Sequence, residues 1–343
     1  MVALDLHPGL IAFTKTKLYF YPGGNPIKAG YKRKNTKLAR TFRGIAEHGT
    51  DYFYKGKLAE RIAHTVQNAS IRPGKLTKQD IASYSAVKRD PICGHYKKFK
   101  ICGMAPPSSG GISVYQILKM LESYKLEQYK PNQLEAIHLF TQSSKLAFAD
   151  RNAYIADNDF TRLPYAALIN QSYLRRRTEL ISPDSNIRFA RKGAAYPDAF
   201  LKDDVSYDLP NTSHISIVDR EDNAISMTSS IEFAFGSGLM VEGFLLNNQM
   251  TDFSFRPASG PYRILNRIEP GKRPRSSMSP TMVFDENDEL ILVLGSPGGS
   301  RIINYVAQTL IGVLDWNLNI QEAINLPKFT NRNDYTALER GTN

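Results

Sequence analysis

Six histidines, His7, His48, His64, His95, His138 and His214, lie scattered along the chain. None shows the HxH or HExxH spacing that would gather metal ligands on one face, and no histidine triad can be traced. Cys93 and Cys102 occupy opposite arms of a predicted hairpin and could face each other. Two cysteines make neither a disulfide scaffold nor a four-cysteine zinc site, so the pair reads as two half-buried thiols in a reducing compartment. The run GSPGGS (295–300) precedes a helical pattern and resembles an anion cradle, without the lysine of a P-loop or a GxGxxG match. Its adjacent glycines serve equally as a tight turn or as two open amides aimed at developing negative charge. Thr212, within DLPNTSHISIVD (208–219), follows a loop and heads a strand. A hydroxyl there is ordinarily a cap or turn former and means little alone.

The elements that must position these residues change character along the chain. In the first half the apolar residues recur at helical spacing: Leu38, Phe42, Ile45 and Ala46 share one face, and Leu58, Ile62 and Val66 share the next. Thr77, with Asp80 three residues on, has the pattern of a capping box. PICGHYKKFKICGMAPP reads as a hairpin ended by a proline pair. PSSGG then turns into a helix carrying Val114, Ile117, Leu118 and Leu121, and a longer helix runs from about Asn132 to Asp150. In the second half HISIV and AISMT alternate around a turn at 221–223, GFLLNN offers a third strand, and TMVF with ELILVL forms another hairpin. A helix bearing Ile303, Val306 and Leu310 follows GSPGGSR. Helices in front and strands behind predict an α+β fold, a sheet covered by helices.

Composition narrows the class. With 343 residues, 42% of them hydrophobic, the chain has enough apolar mass for a substantial core, and no apolar run is long enough to span a membrane. The net charge of +11 is unevenly spread: 33 basic and 18 acidic groups precede Thr212, against 11 and 15 from there onward. The basic runs 31–40 and 95–101 lack zinc-finger spacing or an RNA-binding aromatic motif and read as solvated faces, which excludes nucleic acid as the expected partner. Two segments of different character meet near residue 211. The N-terminal stretch has no signal-peptide pattern, so the chain as written is expected to be cytoplasmic.

Around Thr212 four further motifs follow in order: TSSIEFAFGSG (228–238), LLNNQMTDFS (245–254), KRPRSSMSPT (272–281) and GSPGGSRI (295–302). Together they closely resemble the γ-glutamyltransferase (γ-glutamyltranspeptidase) family with its cephalosporin-acylase-like relatives. The segments 45–63, 76–92, 104–118 and 146–160 resemble the family's heavy subunit, so the likeness runs from about Tyr19 to Asn333. It implies an N-terminal-nucleophile hydrolase, a four-layered αββα sandwich, here incomplete. It also implies a precursor that cuts itself between Asn211 and Thr212 into a heavy chain 1–211 and a light chain 212–343, which stay paired. Thr212 would be the nucleophile, its freed α-amine the general base, and Ser230 the hydroxyl that positions that amine, where serine replaces the more usual threonine. Glu232, Gln249 and Asp252 would hold the donor's α-amino group, with Glu232 standing where many members have asparagine. Ser276 and Ser277 would meet its α-carboxylate, the amides of Gly298 and Gly299 would form the oxyanion hole, and the loop 254–272 would cover the pocket.

The donor so implied is a γ-glutamyl amide such as glutathione, the acceptor an amino acid or water, with no metal or organic cofactor. Relative to the family the chain lacks the export signal, the N-terminal strands and helices of the core, the arginine that clamps the donor carboxylate, and the last strands. Missing strands expose sheet edges and apolar faces. The alternatives are a catalytically inactive remnant of such an enzyme and a cephalosporin-acylase-like amidase.

Overall fold

The computed structural model describes residues 9–161, 163–196, 201–204 and 211–341. His7 and residues 208–210 of the nucleophile segment lie outside the described residues. Backbone contacts divide the chain into two compact units, residues 1–88 with 230–249 and residues 89–229 with 250–343. Each unit draws on both sides of residue 211.

The first unit is built on α1 (Thr14–Phe20), α2 (Thr36–His48), α3 (Lys57–Gln67) and α4 (Lys78–Ala82), with a short antiparallel pair, Met240–Val241 and Phe244–Leu245. Asn35 caps α2: its Oδ1 accepts from Leu38 N at 3.0 Å while its Nδ2 donates to Gly243 O at 2.7 Å. Gly243 sits at φ 92°, and a Cβ there would lie 2.4 Å from Leu38 N, so only glycine fits this crossing. The capping box at α4 forms as the spacing predicts, with Thr77 Oγ1 accepting from Asp80 N and Asp80 Oδ2 accepting from Thr77 N. Leu58, Ala59, Ile62 and Ala63 of α3 pack with Ile81 and Val241.

The face α2 buries is turned from the expected one, with Leu38 and Ile45 half-buried. Thr41 and Gly44 are inside while Phe42 is 61% exposed. The cause is Tyr52, whose ring lies so close to Gly44 that a Cβ there would come within 2.3 Å of it. Aromatic area laid on a glycine outweighs the apolar stripe.

In the second unit, β1 (Ile92–Tyr96) and β2 (Phe99–Gly103) form the predicted hairpin. Next come α5 (Gly110–Leu121), α6 (Leu134–Tyr154) and α7 (Gln171–Thr178), then β3 (Ser213–Val218) and β4 (Ala224–Ser229). The strands β5 (Thr281–Phe284) and β6 (Leu290–Leu294) precede α8 (Ile302–Leu314). The main sheet is antiparallel, ordered β1-β2-β5-β6, with β3 and β4 as a separate ladder. Ile101, Val283 and Leu294 of the sheet share a core with Ile117, Leu118, Phe140, Phe148, Ile303, Val306 and Leu310 of α5, α6 and α8. This helix-covered sheet is the α+β arrangement read from the sequence. α6 is buried nearly all round and carries polar side chains inside, Asp150 and Arg151 among them; such a helix is central rather than amphipathic. Among the described residues, no helix is long and apolar enough to cross a membrane.

One expectation is overturned. Cys93 and Cys102 are not separate thiols but a disulfide. They are direct cross-strand partners in the β1–β2 ladder, with Cα atoms 4.1 Å apart, close enough for the two sulfurs to bond.

Candidate functional site

Thr212 stands one residue before β3 and is half-buried. Its Oγ1 donates to Asn211 O at 2.6 Å, so the hydroxyl is turned back onto the peptide bond that precedes it. Two residues on, His214 Nδ1 lies 2.8 Å from Thr228 Oγ1 and its Nε2 3.0 Å from Ser216 Oγ. Burial holds the imidazole pKa below its usual value. The ring lies against Gly295, where a Cβ would come within 2.2 Å of it, so the nucleophile's strand runs beside the start of the GSPGGS loop. Ser226 Oγ ties β4 to the same place by donating to Leu294 O at 2.9 Å and accepting from Thr281 N at 3.1 Å.

That loop ends on two consecutive left-handed glycines, Gly298 at φ 135° and Gly299 at φ 60°, directly ahead of the turn Gly299–Arg301 and α8. A Cβ on Gly298 would sit 2.9 Å from the Tyr305 ring. Backbone sign and space both demand glycine, and the amides that result belong to the start of a helix, where uncompensated N–H groups favour negative charge.

Ser276 and Ser277 follow a segment anchored at almost every residue. Lys272 Nζ donates to Leu265 O at 2.6 Å, Arg273 N to Asp157 Oδ2 at 2.8 Å, and Arg275 pairs with Asp204 at 2.7 Å, both side chains fully buried. Ser276 N donates to Pro107 O, and Ser276 O accepts from both the amide and the hydroxyl of Ser109 at 2.8 Å. Arg151, buried in α6, donates from Nη2 to Ser277 Oγ at 2.5 Å and from Nε to Ser109 Oγ at 2.9 Å. Asn266 Nδ2 donates to Asp252 O at 2.8 Å and to Asp204 Oδ2 at 2.8 Å, fixing Asp252 to the same framework. The loop 254–272 folds as a small hairpin, Ala258–Ser259 against Tyr262–Arg263, with Ile264 buried beneath it.

In the first unit, Ser230 Oγ accepts from Glu232 N at 2.9 Å. Glu232 is 4% exposed, at φ 72°, and its carboxylate accepts from Asn248 Nδ2. Asn248 Oδ1 in turn accepts from Phe233 N at 2.9 Å. Gln249 opens the short turn Gln249–Asp252, its amide donating to Asn247 Oδ1 at 2.9 Å.

Each unit therefore gathers a share of the expected residues: Asn211, Thr212, Asp252, Ser276, Ser277, Gly298 and Gly299 in one, Ser230, Glu232 and Gln249 in the other. Sequence reasoning missed Arg151, Ser109 and Asn248. The first two lie inside stretches read as heavy-subunit signature, and Asn248 inside LLNNQMTDFS, but nothing in those stretches says which serine or carboxylate they reach. Among the described residues no group of three or more metal-ligating side chains is assembled.

The sequence profile of the γ-glutamyltranspeptidase family matches residues 3–343. The glutathione hydrolase proenzyme of Escherichia coli (strain K12) is 39% identical over 326 residues, 92% of this chain and 53% of that protein. The glutathione hydrolase proenzyme of Bacillus subtilis (strain 168) is 36% identical over 330 residues, 93% of this chain and 54% of that protein. Among solved structures, a cephalosporin acylase from Bacillus halodurans superposes with a TM-score of 0.78 at 24% identity, over 92% of this chain and 54% of that one, a likeness of fold. The chain spans about half the length of the curated relatives it matches. It belongs to the γ-glutamyltranspeptidase family.

Proposed function

We propose that the chain carries out γ-glutamyl transfer and hydrolysis on glutathione-like amides, with Thr212 as nucleophile after self-cleavage at Asn211–Thr212. The observation that carries this reading is the Thr212 hydroxyl on the carbonyl of Asn211, at the head of a strand that runs beside the glycine loop. In maturation Thr212 Oγ attacks the Asn211 carbonyl carbon, the peptide C–N bond breaks as the ester forms, and water hydrolyses the ester. This leaves a carboxylate on Asn211 and a free amine on Thr212. That amine then serves as the base a threonine hydroxyl requires.

In turnover Thr212 Oγ attacks the donor's γ-carbonyl and its proton passes through the α-amine, which Ser230 positions, to the departing amine. Gly298 and Gly299 amides receive the oxyanion. Glu232, Gln249 and Asp252 take the donor's α-ammonium, and Ser276 and Ser277 its carboxylate. Water or an amino acid then accepts the γ-glutamyl group. The heavy segment 1–211 and the light segment 212–343 remain associated, since both compact units contain pieces of each. The Cys93–Cys102 bond supports an oxidising compartment over a reducing one.

The test is release of p-nitroaniline from γ-glutamyl-p-nitroanilide, beside the glutaric-acid amide that lacks the α-amino group. The expected result is turnover of the first, little of the second, and none of either by Thr212→Ala. Equal turnover of both amides would favour a general amidase, and no turnover by the wild-type chain would contradict the reading.

A further inference from the structure

We propose that Arg151 is a positioning residue that sets selectivity for a donor bearing an α-carboxylate, acting through the hydroxyl of Ser277. This rests on the reading of Ser276 and Ser277 as the carboxylate subsite. Arg151 lies in the last turn of α6, 2% exposed, with its guanidinium over the Phe148 ring. Its fork donates from Nε to Ser109 Oγ at 2.9 Å, from Nη1 to Asn152 Oδ1 at 2.9 Å and from Nη2 to Ser277 Oγ at 2.5 Å.

The consequence for Ser277 follows from the chemistry of a hydroxyl, which has one proton to give and lone pairs to accept with. Arg151 occupies the accepting side, and among the described residues the Ser277 proton has no acceptor. Ser277 keeps a narrow 7% exposure, so the remaining direction for that proton is outward, toward an anion. A guanidinium donating to the hydroxyl polarises it, which strengthens the bond its outward proton makes to an anion. The same arginine holds Ser109, whose amide and hydroxyl both grip the carbonyl of Ser276.

The experiment measures, by calorimetry on the full chain, binding of L-glutamate and of 4-aminobutanoate, which differ only in the α-carboxylate. The wild type should prefer L-glutamate by about tenfold or more, the span of a charged hydrogen bond. Arg151→Gln should bring the ratio to about one, and Ser277→Ala, which leaves Arg151 in place, should do the same. Arg151→Lys, which keeps the charge without the fork, should recover part of the preference. If Arg151→Gln fails to fold by circular dichroism, Ser277→Ala and Ser109→Ala decide. A ratio unchanged in those variants, a parallel loss for both ligands, or no preference in the wild type would overturn the proposal. Cleavage at Asn211–Thr212 reports separately on the nucleophile: a chain that cleaves without preference sinks the role of Arg151 alone. A chain that shows the preference without cleaving sinks the enzymatic reading and leaves the carboxylate subsite standing.

Discussion

His214 shows how closely the nucleophile's strand is fitted to its neighbours. The ring is partly buried between Thr228, Ser216 and Gly295, and burial lowers its pKa from about 6.5. Between the lowered folded value and 6.5 the unfolded chain binds more proton than the folded one, so stability rises with pH across that window. It is complete above about 6.5 and falls as the pH drops toward the folded value. Thermal unfolding followed from pH 7.5 to 5 should therefore show a decline in Tm that His214→Gln lacks. The same decline in the variant would assign it to other groups. The fit has a second effect: any side chain added at Gly295 collides with the ring, so the loop and the strand must move together.

At the scale of elements, the β1–β2 hairpin carries the clearest prediction. Its disulfide closes a short loop, with a sequence separation of 9, and constrains the unfolded chain by up to about 3 kcal/mol. Thiol titration of the unfolded, unreduced protein should find no free thiol, and reduction should release both. Cys93→Ser with Cys102→Ser should lower unfolding stability by up to about 3 kcal/mol; two titratable thiols in the untreated protein would contradict the pairing. The pairing geometry was legible in the sequence, since both cysteines sit at facing positions of a hairpin, while the oxidation state was not, because composition pointed to a reducing compartment. The capping box at Thr77, the β5–β6 hairpin and the turn into α8 were legible because each rests on residues a few positions apart. The buried face of α2 was not, since Tyr52 lies outside that helix. Arg151 was invisible for the same kind of reason: Ser277 is 126 residues away, and only the packing of α6 against the KRPRSS segment joins them. The two glycines were legible as a pair, while the positive φ that both adopt ahead of α8 was not.

For the whole molecule, the alternation read in β3 and β4 is present, and it is the polar side that meets the neighbouring strand and loop. His214, Ser216 and Ser226 face the neighbouring strand and loop, while Ile215, Ile217, Ile225 and Met227 line the opposite side, each about half exposed. Exposed apolar patches of this kind promote association. The chain should bind a hydrophobic dye and self-associate with rising concentration in sedimentation. Ile217→Lys with Ile225→Lys should reduce both, whereas unchanged dye binding would place the exposed apolar surface elsewhere. The change in charge near residue 211 does not mark a boundary between the compact units, which interleave across it. It coincides instead with the bond on which the proposed mechanism depends. Intact-mass analysis of the purified chain over time, beside Thr212→Ala, tests that mechanism most directly. The account predicts two fragments, 1–211 and 212–343, from the wild type and an uncut chain from the variant. A wild-type chain that stays whole under the same conditions would contradict it.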